Sequence, residues 1–369
     1  MSRDDTYVGT RPVSEAHHVD AATLTAWLID HLPGFQGPLS LEMFKGGQSN
    51  PTYKLNTPHK SYVMRTKPGP VAKLLPSAHA IEREFKVMQG LHGTRVPVPQ
   101  MHVLCEDESI LGRAFYVMEF VPGRVLWDQT LPGMQNAERA DIYNEMNRVI
   151  AALHTVAFAE RGLGDYGRPG NYFERQISRW SKQYIASVTQ TIPEMDKLMA
   201  WLPANMPASA RDASKVSIVH GDYRLDNMMF HPTENRVIAV LDWELSTLGH
   251  PLADFSYHCM AWHIPPGSFR GIGGLDHKAL GIPSEDEYIA KYCERTGYLT
   301  PAQMKADWNF YLAYNLFRLA SILQGIAKRV EMGTASSAQA VNSAKGARPL
   351  AEMGWAFAQK QNQRSSHAN

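Results

Sequence analysis

The hydrophobic pattern changes period at Val121-Pro122-Gly123, and that change limits the folds open to the chain. Upstream, apolar residues alternate in short stretches broken by Gly46, Gly47 and Pro58, which predicts strands over residues 39–44, 53–55, 62–65, 102–105 and 114–119. One helix interrupts them over 78–89, with Ile81, Phe85 and Met88 on one face and Gly90 as its stop. Pro and Gly directly after a strand end it and redirect the chain. Downstream the spacing is helical, over 137–154, 172–188, 285–295, 301–331 and 337–361, except for a β-rich island over 216–241. Before residue 39, Asp20 is placed to cap a helix carrying Leu24, Trp27, Leu28 and Leu32, which Pro33 and Gly34 end. The expected architecture is α+β in two lobes. A helical extension (1–38) precedes a small antiparallel β-rich lobe (39–120), then a large helical lobe holding the island (121–362) and a frayed tail (363–369). Ligands commonly bind in clefts between such lobes.

Charge narrows the choice of partners. The 369 residues carry 37 Lys plus Arg against 36 Asp plus Glu, a formal net charge of +1 that supplies no long-range attraction to nucleic acid or to an anionic membrane. No apolar run approaches the ~20 residues that span a bilayer, and residues 1–9 lack the basic-then-apolar pattern of a secretory signal. The three cysteines, Cys105, Cys259 and Cys293, are odd in number and far apart, so neither a disulfide framework nor a zinc ribbon is encoded. A reducing cytoplasm is the expected location.

The chemistry is concentrated in the island, VSIVHGDYRLDNMMF followed by RVIAVLDWE. A strand ends at His220, Gly221 permits a sharp turn, and Asp222 emerges at its tip. Asn227 follows five residues later, and Asp242 fifteen after that at the end of a second apolar strand, so three oxygen donors are expected at one end of a strand pair. Phosphoryl transfer uses this set: a carboxylate orients the attacking hydroxyl and takes its proton, while an amide oxygen and a second carboxylate hold the Mg²⁺ that neutralises the triphosphate. On this reading Asp222 is the catalytic base, and Asn227 and Asp242 are the metal ligands; His220 is structural.

The segment H-G-D-x-x-x-x-N, followed by a strand and L-D, resembles the catalytic loop of the aminoglycoside phosphotransferase and choline kinase family, relatives of the protein kinases. LDWE is similar to that family's metal-binding segment, and GHPLADF to its G-x-P-x-x-D stretch, which implies that Asp254 is a buried anchor for the catalytic loop. The resemblance implies a protein-kinase-like fold with ATP and Mg²⁺ as cofactors. It places the phosphate-covering loop at FKGGQSNPTYKL, so Gly46, Gly47, Gln48, Ser49 and Asn50 become phosphate contacts. It also implies a strand cation paired with a helix carboxylate. YVMRTK offers Arg65 and Lys67 on one face, IEREF offers Glu82 and Glu84, and the family pattern favours Arg65 with Glu84, an arginine where most relatives carry lysine. FYVMEFVPG resembles the strand and hinge that receive adenine, which implies Met118, Glu119 and Val121 at the base.

The implied partner is a small molecule with an acceptor hydroxyl. From residue 255 onward twelve Lys or Arg face eight Asp or Glu, a poor match for a polycationic aminoglycoside and a better one for an anionic acceptor. The run YVMRTKPGPVAKLLPSAHAIEREFKVMQGL resembles, more narrowly, the kinase-like domain associated with acyl-CoA dehydrogenases, which implies a hydroxyacyl-CoA-type acceptor. The competing readings are an aminoglycoside- or choline-type kinase, a catalytically weak nucleotide-binding regulatory module suggested by Arg65, and a metallohydrolase built on His220, Asp222, His250, Asp254, His258 and His263, although these histidines lack a compact ligand spacing.

Overall fold

The computed structural model describes residues 8–45, 50–68, 80–267, 271–333 and 340–367, with side chains as far as 364. They divide into two compact units, neither continuous in sequence. The first comprises the described residues up to Gly133 together with Ala157–Tyr166 and Arg224–Ser246; the second comprises Met134–Val156, Gly167–Tyr223 and the described residues from Thr247 on.

The first unit is built on a six-stranded antiparallel sheet of β1 (Thr10–Pro12), β2 (Ser40–Phe44), β3 (Thr52–Asn56), β4 (Ser61–Thr66), β5 (Met101–Cys105) and β6 (Phe115–Glu119), in the spatial order β1-β2-β3-β4-β6-β5. Side chains alternate across a strand, and this alternation decides what each face does. Tyr62 and Met64 of β4, with Tyr53, Leu55, Phe115 and Val117 on its neighbours, join Leu24 and Leu28 of helix α1 (Ala21–His31) in one core. Burying each of those leucines contributes about 1.5–3 kcal/mol. Asp20 caps α1, accepting from the N–H groups of Ala22 at 2.9 Å and Thr23 at 3.2 Å. Arg65 has the opposite parity and points away from that core, toward α2 (Ile81–Leu91).

Two details of α2 depart from expectation. Gly90 does not stop the helix but lies inside it, at a point where an added Cβ would come within 2.8 Å of Leu163. The buried face carries Ile81, Val87, Met88 and Leu91, but it also carries the carboxylate of Glu84.

The β-rich island is divided between the units. Ser217–Val219 pairs with Thr247–Gly249 in the second unit, whereas Met228–Phe230 pairs with Val237–Val240 and with Arg124–Val125 in the first. The strand before Asp222 and the strand before Asp242 are therefore not partners, and the expected single strand pair is corrected. A 3₁₀ turn over Leu225–Asn227 redirects the chain between them.

The second unit is helical apart from that pair of short strands. Its helices include α3 (Asn136–His154), α4 (Tyr172–Ala186), α5 (Pro193–Ala204), α6 (Pro251–Cys259), α7 (Glu285–Thr296), the 31-residue α8 (Pro301–Glu331) and α9 (Ala347–His367). The helix expected over 337–361 is two pieces in the described residues, Ala340–Ala344 and α9, separated at Gly346. Every residue of α6 is buried. Among the described residues no helix is long and apolar enough to cross a membrane.

Candidate active site

In the first unit, the face of β4 opposite the apolar core carries a charge cluster. Arg65 is 9% exposed and Glu84 1%. The arginine Nε lies 3.3 Å from Glu84 Oε2, its Nη2 donates to Asp242 Oδ1 at 2.9 Å, and Glu244 Oε2 stands 3.8 Å away. Glu84 also accepts from Asn50 Nδ2 at 3.1 Å and from the Tyr116 hydroxyl at 3.3 Å. Burial works against the Arg65 cation, but Glu84, Tyr116 and Asp242 outweigh it, so its pKa is raised. Burial also pushes Glu84 above the usual carboxylate range, with Arg65 opposing the shift. Lys67, one residue past the end of β4, pairs instead with Glu82.

Asp242 follows the strand Val237–Val240 and has φ 64°, a left-handed conformation that Asp tolerates better than most residues, at a cost of order 1–3 kcal/mol. Strain of this kind is often found where a side chain must be aimed. Asn227 ends the 3₁₀ turn, is buried, and its carbonyl accepts from the N–H of Leu241 at 2.8 Å. That bond ties the backbone of Asn227 to the residue preceding Asp242.

Of the expected nucleotide contacts, Met118 and Glu119 close β6, paired with Val63 and Tyr62 of β4, and Val121 lies two residues beyond the strand. Gly46, Gly47, Gln48 and Ser49 lie outside the described residues. Asn50 is fully buried with its amide on Glu84.

In the second unit, α6 holds the loop that carries Asp222. Asp254 accepts from the backbone N–H of His220 at 2.7 Å and of Gly221 at 2.9 Å. His154 Nε2 stands 3.3 Å from the same carboxylate, and its Nδ1 is 2.6 Å from the Tyr292 hydroxyl. Burial raises the Asp254 pKa, but His154, His220 and the loop N–H groups outweigh it and hold it below the usual carboxylate range. Gly221 has φ 83°, which favours glycine, and its carbonyl accepts from Arg318 Nη2 at 2.7 Å. The Asp222 N–H donates to His220 Nδ1 at 3.2 Å, and the Tyr257 hydroxyl donates to Asp222 Oδ1 at 2.6 Å.

Sequence reasoning singled out neither Arg318 nor the bond from Tyr257 to Asp222. Tyr257 had a signal, since it stands three residues after Asp254 and so shares its helix face; Arg318 had none. Among the described residues no group of three or more His, Cys, Asp and Glu side chains could hold a metal ion.

Residues 40–304 match the model of the phosphotransferase enzyme family, and the chain belongs to that family. Its fold is kinase-like. Acyl-CoA dehydrogenase family member 10 of Mus musculus is 45% identical over 356 residues, which is 95% of this chain and 32% of that protein. The chain thus spans about a third of the length of that relative. A crystal structure from Ralstonia eutropha JMP134, of a protein provisionally called an aminoglycoside phosphotransferase, is 63% identical with a TM-score of 0.85, covering 93% of this chain and 99% of that one. A thermostable variant of aminoglycoside phosphotransferase APH(4)-Ia, in ternary complex with ADP and hygromycin B, shares the fold at 13% identity and a TM-score of 0.59, covering 91% of this chain and 98% of that one.

Proposed function

We propose that the chain is an ATP- and Mg²⁺-dependent kinase that moves the γ-phosphoryl group to a hydroxyl of a small anionic acceptor of the hydroxyacyl-CoA type. The reading rests above all on Arg65, a buried guanidinium set between Glu84 and Asp242. A buried cation suits a site that a polyphosphate enters, and a carboxylate such as Asp242 beside it suits the Mg²⁺ that accompanies the phosphates. Gly46, Gly47, Gln48 and Ser49 would cover the phosphates beside Asn50, with Glu84 fixing Arg65, and Met118, Glu119 and Val121 would border the adenine.

Asp222 would orient the acceptor hydroxyl and take its proton. The new bond joins that oxygen to the γ-phosphorus as the bond from the phosphorus to the ADP oxygen breaks. Asn227 and Asp242 fit Mg²⁺ by donor type, since it accepts one or two hard oxygen ligands from a protein and keeps waters and phosphate oxygens for the rest. Bound there, the ion would neutralise charge on the transferring phosphoryl group. The hydroxyacyl-CoA assignment draws on the similarity to the mouse relative, whose name is that of an acyl-CoA dehydrogenase, and on the excess of basic residues after residue 255.

The test is ADP release from Mg·ATP across hydroxyacyl-CoA, sugar and amino-alcohol acceptors. Asp222→Ala should lower kcat by about 10²- to 10⁴-fold while nucleotide affinity, read by calorimetry, is retained. Full turnover in that variant would overturn the assignment of Asp222. ATP binding with no transfer by the natural protein to any acceptor, water included, would favour the regulatory module.

A further inference from the structure

Three consecutive loop residues are held by one face of α6. Asp254 takes the N–H groups of His220 and Gly221, and one turn later Tyr257 takes the carboxylate of Asp222. Helix α8 grips the same loop from its other polar group, because Arg318 donates to the Gly221 carbonyl. The Arg318 guanidinium also lies over the Tyr257 ring at 5.0 Å and over the Trp180 ring at 5.7 Å. Among the described residues Arg318 makes no ion pair, although it is 8% exposed. Its ring contacts are of the kind that stabilises a buried cation.

We propose that Tyr257 is a positioning residue for Asp222. Its hydroxyl donates to Oδ1 and so restricts the rotation of the carboxylate that is to meet the acceptor hydroxyl. Arg318 fixes the Tyr257 ring and the Gly221 carbonyl together, so the loop and the side chain that aims its aspartate are registered to a single cation. A carboxylate free to rotate would present an oxygen in the required direction only part of the time, and small errors of aim are costly in transfer reactions. The proposal rests on the role given to Asp222 above.

The experiment has two arms. In the first, protein labelled with [4-¹³C]aspartate is observed by NMR at one neutral pH without nucleotide, and Asp222→Asn identifies the Asp222 carboxyl signal. Tyr257→Phe removes only the hydroxyl and keeps the ring under Arg318. The Asp222 signal should move beyond its line width while the other aspartate signals stay in place; an unmoved signal overturns the proposal. Tyr257→Met supplies the same loss should the Phe variant fail to accumulate. In the second arm, kcat with Mg·ATP and the best acceptor should fall by about tenfold to a hundredfold, the effect of one lost hydrogen bond to a charged group, with KM for ATP unchanged. Unchanged kcat, or a rise in KM alone, also overturns it. If the natural protein transfers phosphate to nothing, the kinase reading falls, and the first arm still decides whether Tyr257 holds Asp222.

Discussion

Arg65 is held by two carboxylates through two different nitrogens, Nε to Glu84 and Nη2 to Asp242. A lysine has one nitrogen and cannot span both in this way. The arginine meets the two carboxylates unequally: Nη2 donates a hydrogen bond to Asp242, whereas Nε faces Glu84 as an ion pair with no hydrogen bond of its own among the described residues. Removing the cation would leave Glu84 buried against the Tyr116 hydroxyl and the Asn50 amide with no counter-charge. Arg65→Met should cost about 3 kcal/mol or more of unfolding free energy, the range seen when one partner of a buried pair is deleted. Urea titration checks this, and a loss within about 0.5 kcal/mol, typical of an exposed surface change, would contradict it. Only part of this cluster was legible in the sequence: strand parity put Arg65 and Lys67 together on the Val63 face, the resemblance favoured Arg65 with Glu84, and the contacts to Asp242, Glu244 and Tyr116 had no sequence signal. That Lys67 would be drawn off to Glu82 was not legible, for it depends on where β4 ends.

Elements whose faces differ in polarity left a pattern that could be read; elements buried all round did not. Helix α8 was anticipated from its spacing over 301–331, whereas α6 was not, because all nine of its residues are buried and no polar face contrasts with an apolar one. Helix α5 was overlooked although Met195, Leu198, Trp201 and Leu202 recur at helical spacing, its prolines at 193 and 203 obscuring the pattern. The enclosure of α6 has a consequence for pH. Burial pushes His258 within the helix, and His250 at its N-cap, from 6.5 down to about 4. Both stay neutral in the folded state while the unfolded chain protonates near 6.5, so their contribution to stability is intact above that pH and is lost as pH falls from 6.5 toward 4. Each accounts for about 3 kcal/mol across that window. Urea midpoints should therefore fall steadily from pH 7 to pH 5, and His258→Gln should flatten the slope. A natural protein equally stable at both values would refute the argument.

At the scale of the whole molecule, near-neutrality conceals an uneven distribution of charge along the chain: 37 basic against 36 acidic residues in total, but twelve against eight from residue 255 onward. The pairing of acids with bases in the described structure uses up several of the latter, among them Lys291 with Glu294, Lys305 with Asp286 and Lys328 with Glu331. Each of these is an exposed pair of little energetic weight, screened by salt and free to exchange for another anion. An acceptor drawn to this part of the chain by its negative charge should therefore bind less well as salt rises. Under the anionic-acceptor reading, KM for a hydroxyacyl-CoA acceptor should increase several-fold between about 0.05 and 0.3 M ionic strength, where the screening length shortens from roughly 14 to 6 Å. KM for a neutral hydroxyl acceptor tested in parallel should change little, which separates screening of the acceptor from any effect of salt on Mg·ATP. A cationic amino-alcohol or aminoglycoside drawn to acidic groups would likewise lose affinity with salt, so the sign of the preference comes from comparison at low salt: kcat/KM should rank the anionic acceptor first, the neutral one next and the polycation last. The reverse order would return the chain to the aminoglycoside-type reading.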